Sequence, residues 1–172
     1  TSGADSDTYA VRLGCDTVPV PVFTGPFNET GSTLSPDGRW LAYASPESGR
    51  PEVYVRPFPN IADGRWQVST AGGIAARWAH SGRELFYEGA GGDLMVVPIT
   101  PGTTFDPGAA RRLLPAGSGF VGSNTVPYYD LTPDDQRLIM VRQTSLAQTP
   151  GGGQLVVVDN WIDELKSKMK AR

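Results

Sequence analysis

Apolar residues in this chain fall into short runs, each closed off by glycine, proline or a cluster of polar side chains. That pattern predicts many short strands joined by tight turns. One arrangement recurs. It reads Ser35-Pro36-Asp37-Gly38-Arg39-Trp40-Leu41-Ala42-Tyr43 in its clearest copy, then His80-Ser81-Gly82-Arg83-Glu84-Leu85-Phe86-Tyr87, then Thr132-Pro133-Asp134-Asp135-Gln136-Arg137-Leu138-Ile139-Met140-Val141. Each copy is a polar turn followed by a strand-like apolar run. Gly38 and Gly82 hold the same place, 44 residues apart, and Asp135 takes it 53 residues later. The excess in the second interval falls in the Gly- and Ser-rich residues 115–127.

A repeat at this spacing is one supersecondary unit used several times. A period near 45 matches a four-stranded propeller blade of roughly 40–50 residues. Within each unit the same order is expected. A short strand ends at Leu34, Trp78 or Leu131, and the turn reverses the chain with a residue at positive φ. Second strands follow at 40–44, 85–88 and 138–142, and polar loops come next. Third strands follow at 53–55, 94–97 and 155–158, and fourth strands at 66–68 and 112–114. Ahead of the first unit, residues 8–13 and 20–23 read as the third and fourth strands of a blade. Near the end, Trp161, Leu165 and Met169 stand at i, i+4 and i+8 after Asp159 and Asn160, which predicts a short amphipathic helix. The domain is therefore divided into a half blade at 1–25, blades at 26–70 and 71–115, a partial blade at 116–158 and a C-terminal helix at 159–172. The fold class is all-β.

Composition narrows the field of functions. Of the 172 residues, 39% are hydrophobic and 19% charged, so the chain can bury a core and disorder is not expected. A net charge of −3 argues against a nucleic-acid surface, which would be basic. Cys15 is the only cysteine and His80 the only histidine, so neither an internal disulfide nor a Cys/His zinc site can form. Cys15 is expected to be a small buried side chain. No apolar run reaches about 18 residues, so no membrane insertion is expected, and the first residues do not read as a signal peptide.

The run at 35–43, together with Arg50-Pro51-Glu52-Val53-Tyr54-Val55-Arg56-Pro57-Phe58-Pro59 and the closing Asn160-Trp161 and Glu164-Leu165, resembles the WD-like, TolB-like β-propeller repeat of bacterial proteins. It looks like the C-terminal part of a propeller sensor region, as found after the kinase domain of some bacterial membrane serine/threonine kinases. No kinase motif is present in the chain itself. The resemblance implies a bacterial, periplasmic or extracytoplasmic setting. Two turns depart from the usual repeat: His80-Ser81 replaces Pro-Asp, and Asp135-Gln136 replaces Gly-Arg.

Two blades with a part-blade at each end cannot close a ring, because closed propellers have about four to eight blades. A homodimer in which the N-terminal half blade of one copy completes the C-terminal part of the other would give six. Candidate chemistry belongs to the segments leading into the innermost strands, 28–33, 72–77 and 124–130. There Thr33, Arg77 and Asp130 occupy equivalent places. Arg77, Tyr128 and Tyr129 are the candidate ligand contacts, for a protein, peptide or small molecule. Asn28, Glu29, Asn124 and Asp130 are oxygen donors of the kind Ca²⁺ takes. Calcium at a propeller mouth, with Asp130 and Glu29 as catalytic carboxylates, would give a hydrolase of the phosphotriesterase or lactonase type. Against this, Asn and Asp before a strand usually cap turns. Asp37 and Asp134 are expected to accept hydrogen bonds from turn amides, and Trp40, Trp66, Trp78 and Tyr54 to pack between blades.

Overall fold

The computed structural model describes residues 8–15, 17–115 and 129–140. An antiparallel pair, β1 (Thr8–Ala10) and β2 (Val20–Phe23), comes first. A four-stranded sheet follows in simple order: β3 (Thr30–Leu34), β4 (Trp40–Ser45), β5 (Glu52–Pro57) and β6 (Trp66–Gln67). The second sheet holds β7 (Gly73–Trp78), β8 (Glu84–Gly89) and β9 (Leu94–Thr100). The outer edge of β9 is shared: β10 (Asp106–Pro107) pairs with Ile99 and Thr100, and β11 (Arg111–Leu114) pairs nearer Leu94. β12 (Tyr129–Leu131) and β13 (Leu138–Met140) form a last antiparallel pair. The expected third strand at 155–158 and the helix at 159–172 lie outside the described residues.

The recurring turn has one geometry three times over. The amide of Ser35 donates to the Trp40 carbonyl, Ala79 to Glu84 and Thr132 to Arg137, at 2.8–2.9 Å. Inside each, Gly38 donates to Ser35, Gly82 to Ala79 and Asp135 to Thr132. Gly38, Gly82 and Asp135 all sit in the left-handed region, at φ of 71°, 68° and 56°. Glycine suits that conformation, and Asp is among the few other residues that tolerate it.

Alternation along the strands sorts side chains into layers between sheets. Trp40 and Ala42 of β4 and Val53 and Val55 of β5 meet Ala76, Trp78, Leu85, Tyr87, Val97 and Ile99 of the second sheet and Phe105 just ahead of β10. The intervening residues point the other way. Leu41, Tyr43 and Tyr54 pack against Phe23 of β2, while Phe86, Leu94 and Val96 pack against Tyr129 and Leu131. The second sheet is thus apolar on both faces with a neighbour on each side, and the first is covered by the second sheet on one face and by β2 over Leu41, Tyr43 and Tyr54 on the other. This is the stacking of propeller blades, and it explains why the apolar runs are nearly continuous rather than alternating with polar residues.

Two expectations need correction. Residues 30–33 and 73–77, read as leading loops, belong to the innermost strands themselves, each interrupted by a β-bulge between Thr30 and Thr33 and between Ile74 and Arg77. Gly31 and Ala75 hold the same place in these bulges, both at positive φ (64° and 54°). Cys15 is exposed rather than buried. It lies in a turn between β1 and β2, with its amide bonded to the Arg12 carbonyl, outside every packed layer.

Candidate functional site

The innermost strands β3, β7 and β12 bring Thr33, Arg77 and Asp130 to equivalent register positions, opposite Ala42, Phe86 and Ile139 of the second strands. Arg77 and Asp130, 53 residues apart in sequence, meet. Nη1 of Arg77 lies 3.2 Å from Oδ1 of Asp130, which also accepts the Leu131 amide at 2.9 Å. The two side chains are 36% and 64% exposed, so the pair borders solvent. The Arg77 Nε is shielded from solvent and has no hydrogen-bond partner among the described residues. The rest of the guanidinium borders solvent beside Asp130 and keeps donors free to meet a ligand acceptor.

Tyr129, expected as a ligand contact, is instead part of the core: 6% exposed, with its hydroxyl donating to the Ala75 carbonyl at 2.8 Å. Alternation is the cause, since Tyr129 and Leu131 point inward and only Asp130 between them points out. Burial pushes the phenol pKa far up; nearby Arg77 opposes this and Glu88 adds to it. Burial likewise raises the pKa of Glu88, which lies opposite Ile74 across the β7–β8 pair. Asn28 is exposed and Glu29 half-buried, both just ahead of β3. Tyr128 and Asn124 lie outside the described residues.

Asp130 has a guanidinium at 3.2 Å, and a cation placed there would face a like charge. Among the described residues no three His, Cys, Asp or Glu side chains gather around one point.

Glu52 is a polar centre that the sequence reading missed. It is 1% exposed, yet it accepts the Arg50 Nε at 2.8 Å, the Gly72 amide at 2.9 Å and the Ser69 hydroxyl, whose oxygen in turn accepts the Val53 amide at 2.8 Å. Arg50 also donates to the Thr70 carbonyl. The carboxylate thereby ties the segment entering β7 to the sheet before it. A side chain at Gly73 would collide with Ser69: its Cβ would come within 2.4 Å of that oxygen. The visible signal was a charged residue opening the apolar run Val53-Tyr54-Val55, with an arginine two residues earlier.

The turn carboxylates act structurally. Asp37 accepts the Ser35 hydroxyl at 2.6 Å, the Arg39 amide at 3.1 Å and the Arg39 Nε at 2.7 Å. The Ser35 hydroxyl first, then Arg39, hold its pKa down to about 2, against a smaller opposing effect of burial. Asp134 repeats the pattern with Thr132 and the Gln136 amide, which lower its pKa. Asp135 does something different. Its carboxylate reaches the neighbouring turn and accepts the amides of His80 and Ser81, both at 2.8 Å, with His80 Nδ1 at 3.0 Å. The two turns that depart from the usual repeat are therefore partners of each other.

No family model matches the chain, and no curated protein does. Among solved structures, a candidate 6-phosphogluconolactonase from Bacteroides uniformis is similar, at 14% identity and a TM-score of 0.50, over 78% of this chain and 40% of that one. TolB from Acinetobacter baumannii aligns at 14% identity with a TM-score of 0.42, over 76% of this chain and 42% of that one. The chain spans about two fifths of the length of both. Likeness at this identity speaks to architecture alone. With the stacked sheets and the repeated turn, it identifies an all-β, propeller-type fold.

Proposed function

We propose that the chain is a propeller-type binding module that takes a protein, peptide or small ligand at the end of the innermost strands, with Arg77 as the polar anchor. The observation that carries this is the solvent-bordering ion pair of Arg77 with Asp130 on the innermost strands. Asp130 occupies one side of the guanidinium, and a ligand acceptor would take the other. Bidentate recognition of a planar acceptor is what an arginine offers over a lysine.

The test is a thermal-shift and calorimetric comparison of the wild type and Arg77→Ala against acetate, citrate and a short acidic peptide. Stabilisation of the wild type by one of these probes, lost in Arg77→Ala, is the expected result. Hydrolysis of a chromogenic lactone or phosphotriester that stops with chelator and returns with Ca²⁺ would replace this reading by the hydrolase one.

A further inference from the structure

We infer that the cleft between the turns at 35–40 and 79–84 binds a small carboxylic acid with an apolar body, held by Arg39 and the Asp37 amide. Neither residue of the Arg77–Asp130 pair takes part. The protein itself supplies the template. Gly82 and Asp135 hold equivalent places in their turns, as do Pro36 and His80, and Asp37 and Ser81. In the joint between the second sheet and β12–β13, a carboxylate crosses from one turn to the one before it: Asp135 accepts the His80 and Ser81 amides, each at 2.8 Å. In the joint between the first and second sheets, Gly82 offers no side chain. The nearest atom to a Cβ built on it is Cδ of Pro36, at 3.7 Å. Here the two turns line a cleft of about 120 Å³. A single buried water needs only roughly 10–15 Å³, so the cleft has room for a small organic acid.

Two donors suit a carboxylate in that cleft. The Asp37 amide has no hydrogen-bond partner among the described residues. Because the turns share one geometry, it is directed as the Ser81 amide is, toward the following turn. Arg39 is the second donor. Its Nε donates to Oδ2 of Asp37 at 2.7 Å and its Nη1 to the Gly102 carbonyl at 3.0 Å, which fixes the guanidinium between its own turn and the segment joining β9 to β10. Its Nη2 has no partner among the described residues. A guanidinium already held in place loses little freedom when an anion arrives, and its hydrogen bonds to a carboxylate are charge-assisted. The Asp37 carboxylate is itself taken up by the Ser35 hydroxyl and by the amide and Nε of Arg39. The other half of the ligand follows from the apolar side of the cleft, which Trp40, Ile99 and Pro101 supply. An inorganic anion would leave that surface wet, whereas an aromatic or branched aliphatic acid covers it.

Calorimetric titration of the full chain with benzoate reads this site, with benzamide as the uncharged probe of nearly the same shape. Benzoate should bind and benzamide should not. Gly82→Asp sets the chain's own carboxylate into the cleft, at a positive φ that Asp135 already adopts, and should abolish benzoate binding. Arg39→Ala should weaken binding by about tenfold or more. Far-UV spectra matching the wild type show that the variants are folded. Should Arg39→Ala fail to fold, Arg39→Lys keeps the charge but loses the planar fork, and it too should weaken binding. No heat with benzoate, equal binding of benzamide, or an affinity unchanged in Gly82→Asp and in the Arg39 variants would each overturn the inference. So would benzoate binding that persists in the cleft variants and vanishes in Arg77→Ala, which would put the acid on the innermost strands instead.

Discussion

Between the first and second sheets, rings do most of the packing. Trp40 meets Trp66 edge-on at 5.6 Å and Phe105 at 5.4 Å, and Trp78 meets Phe105 at 6.3 Å. Polar links across this joint include Trp78 Nε1 to the Thr33 carbonyl at 3.3 Å, Arg39 Nη1 to the Gly102 carbonyl at 3.0 Å, and the amides of Gly72 and Gly73 to the Glu52 carboxylate and the Pro51 carbonyl. Between the second sheet and β12–β13 the side chains are smaller and the joint is laced with polar contacts. Tyr129 bonds Ala75, Arg77 pairs with Asp130, and Asp135 takes the amides of His80 and Ser81. Register explains the exchange. Gly82 and Asp135 are equivalent, and so are Pro36 and His80. Proline has no amide to offer a carboxylate, so in the first joint glycine suffices, with Pro36 at 3.7 Å from where its Cβ would be. In the second joint His80 has an amide, and Asp135 accepts it. Two joints of one geometry thus differ in the chemistry at their turns, and among the described residues only in the second does the carboxylate of one turn accept the amides of the next.

The largest effect should come from emptying the first joint. Trp78→Ala removes a buried ring from the middle of the aromatic cluster and should lower stability by about 3–5 kcal/mol in urea unfolding, or prevent folding. A loss under about 1 kcal/mol would show that the aromatic layer does not hold the two sheets together.

In the second joint, Asp135→Asn keeps a residue that tolerates positive φ but removes the charge. It should cost about 1–2 kcal/mol near pH 7. Burial alone would raise the Asp135 pKa, but the amides and side chains of His80 and Ser81 outweigh it and hold the value down to about 2. A carboxylate whose folded pKa lies below its unfolded value stabilises above that unfolded value, near 4, and loses the contribution as the pH falls toward 2. Wild type and Asp135→Asn should therefore converge in midpoint as unfolding is followed from pH 5 down to pH 2. Curves that stay parallel would contradict the role given to the charge.

Tyr129→Phe isolates a single bond of the same joint. The Ala75 carbonyl would be left without its donor in a buried setting, at a cost of about 1 kcal/mol by thermal or chemical unfolding. The smallest effect is the most specific. Gly82→Asp copies the second joint's carboxylate into the first, where Pro36 cannot donate to it. Combined with Pro36→Ala, an amide becomes available, and a double-mutant cycle should show favourable coupling of about 0.5–1 kcal/mol. Zero coupling would mean that the two joints are not interchangeable.

Much of the fold was legible. The turn is a local device: a residue at positive φ, a hydroxyl or carboxylate to cap the amides, then an apolar run. All three copies appear in the residue order, down to Asp135 standing where glycine stands twice. The bulges at Gly31 and Ala75 were not legible, because Ala75 gives no hint that its backbone is left-handed. Tyr129 was read as a ligand contact because it neighbours Asp130, yet strand alternation sends adjacent residues to opposite faces. His80-Ser81 and Asp135 looked like separate departures from the repeat, and their pairing depends on two turns more than fifty residues apart coming side by side.

By itself the sequence determined the repeating unit, its turns and its strand order, since these follow from φ preferences and a period of two within a few residues. Tertiary structure alone decided which equivalent positions meet. Stacking one sheet on the next brings Arg77 to Asp130 and His80 to Asp135, and it leaves Leu34 and Ile139 bare. Register along a strand is a local property, whereas the neighbour across a sheet face is set by how whole sheets pack.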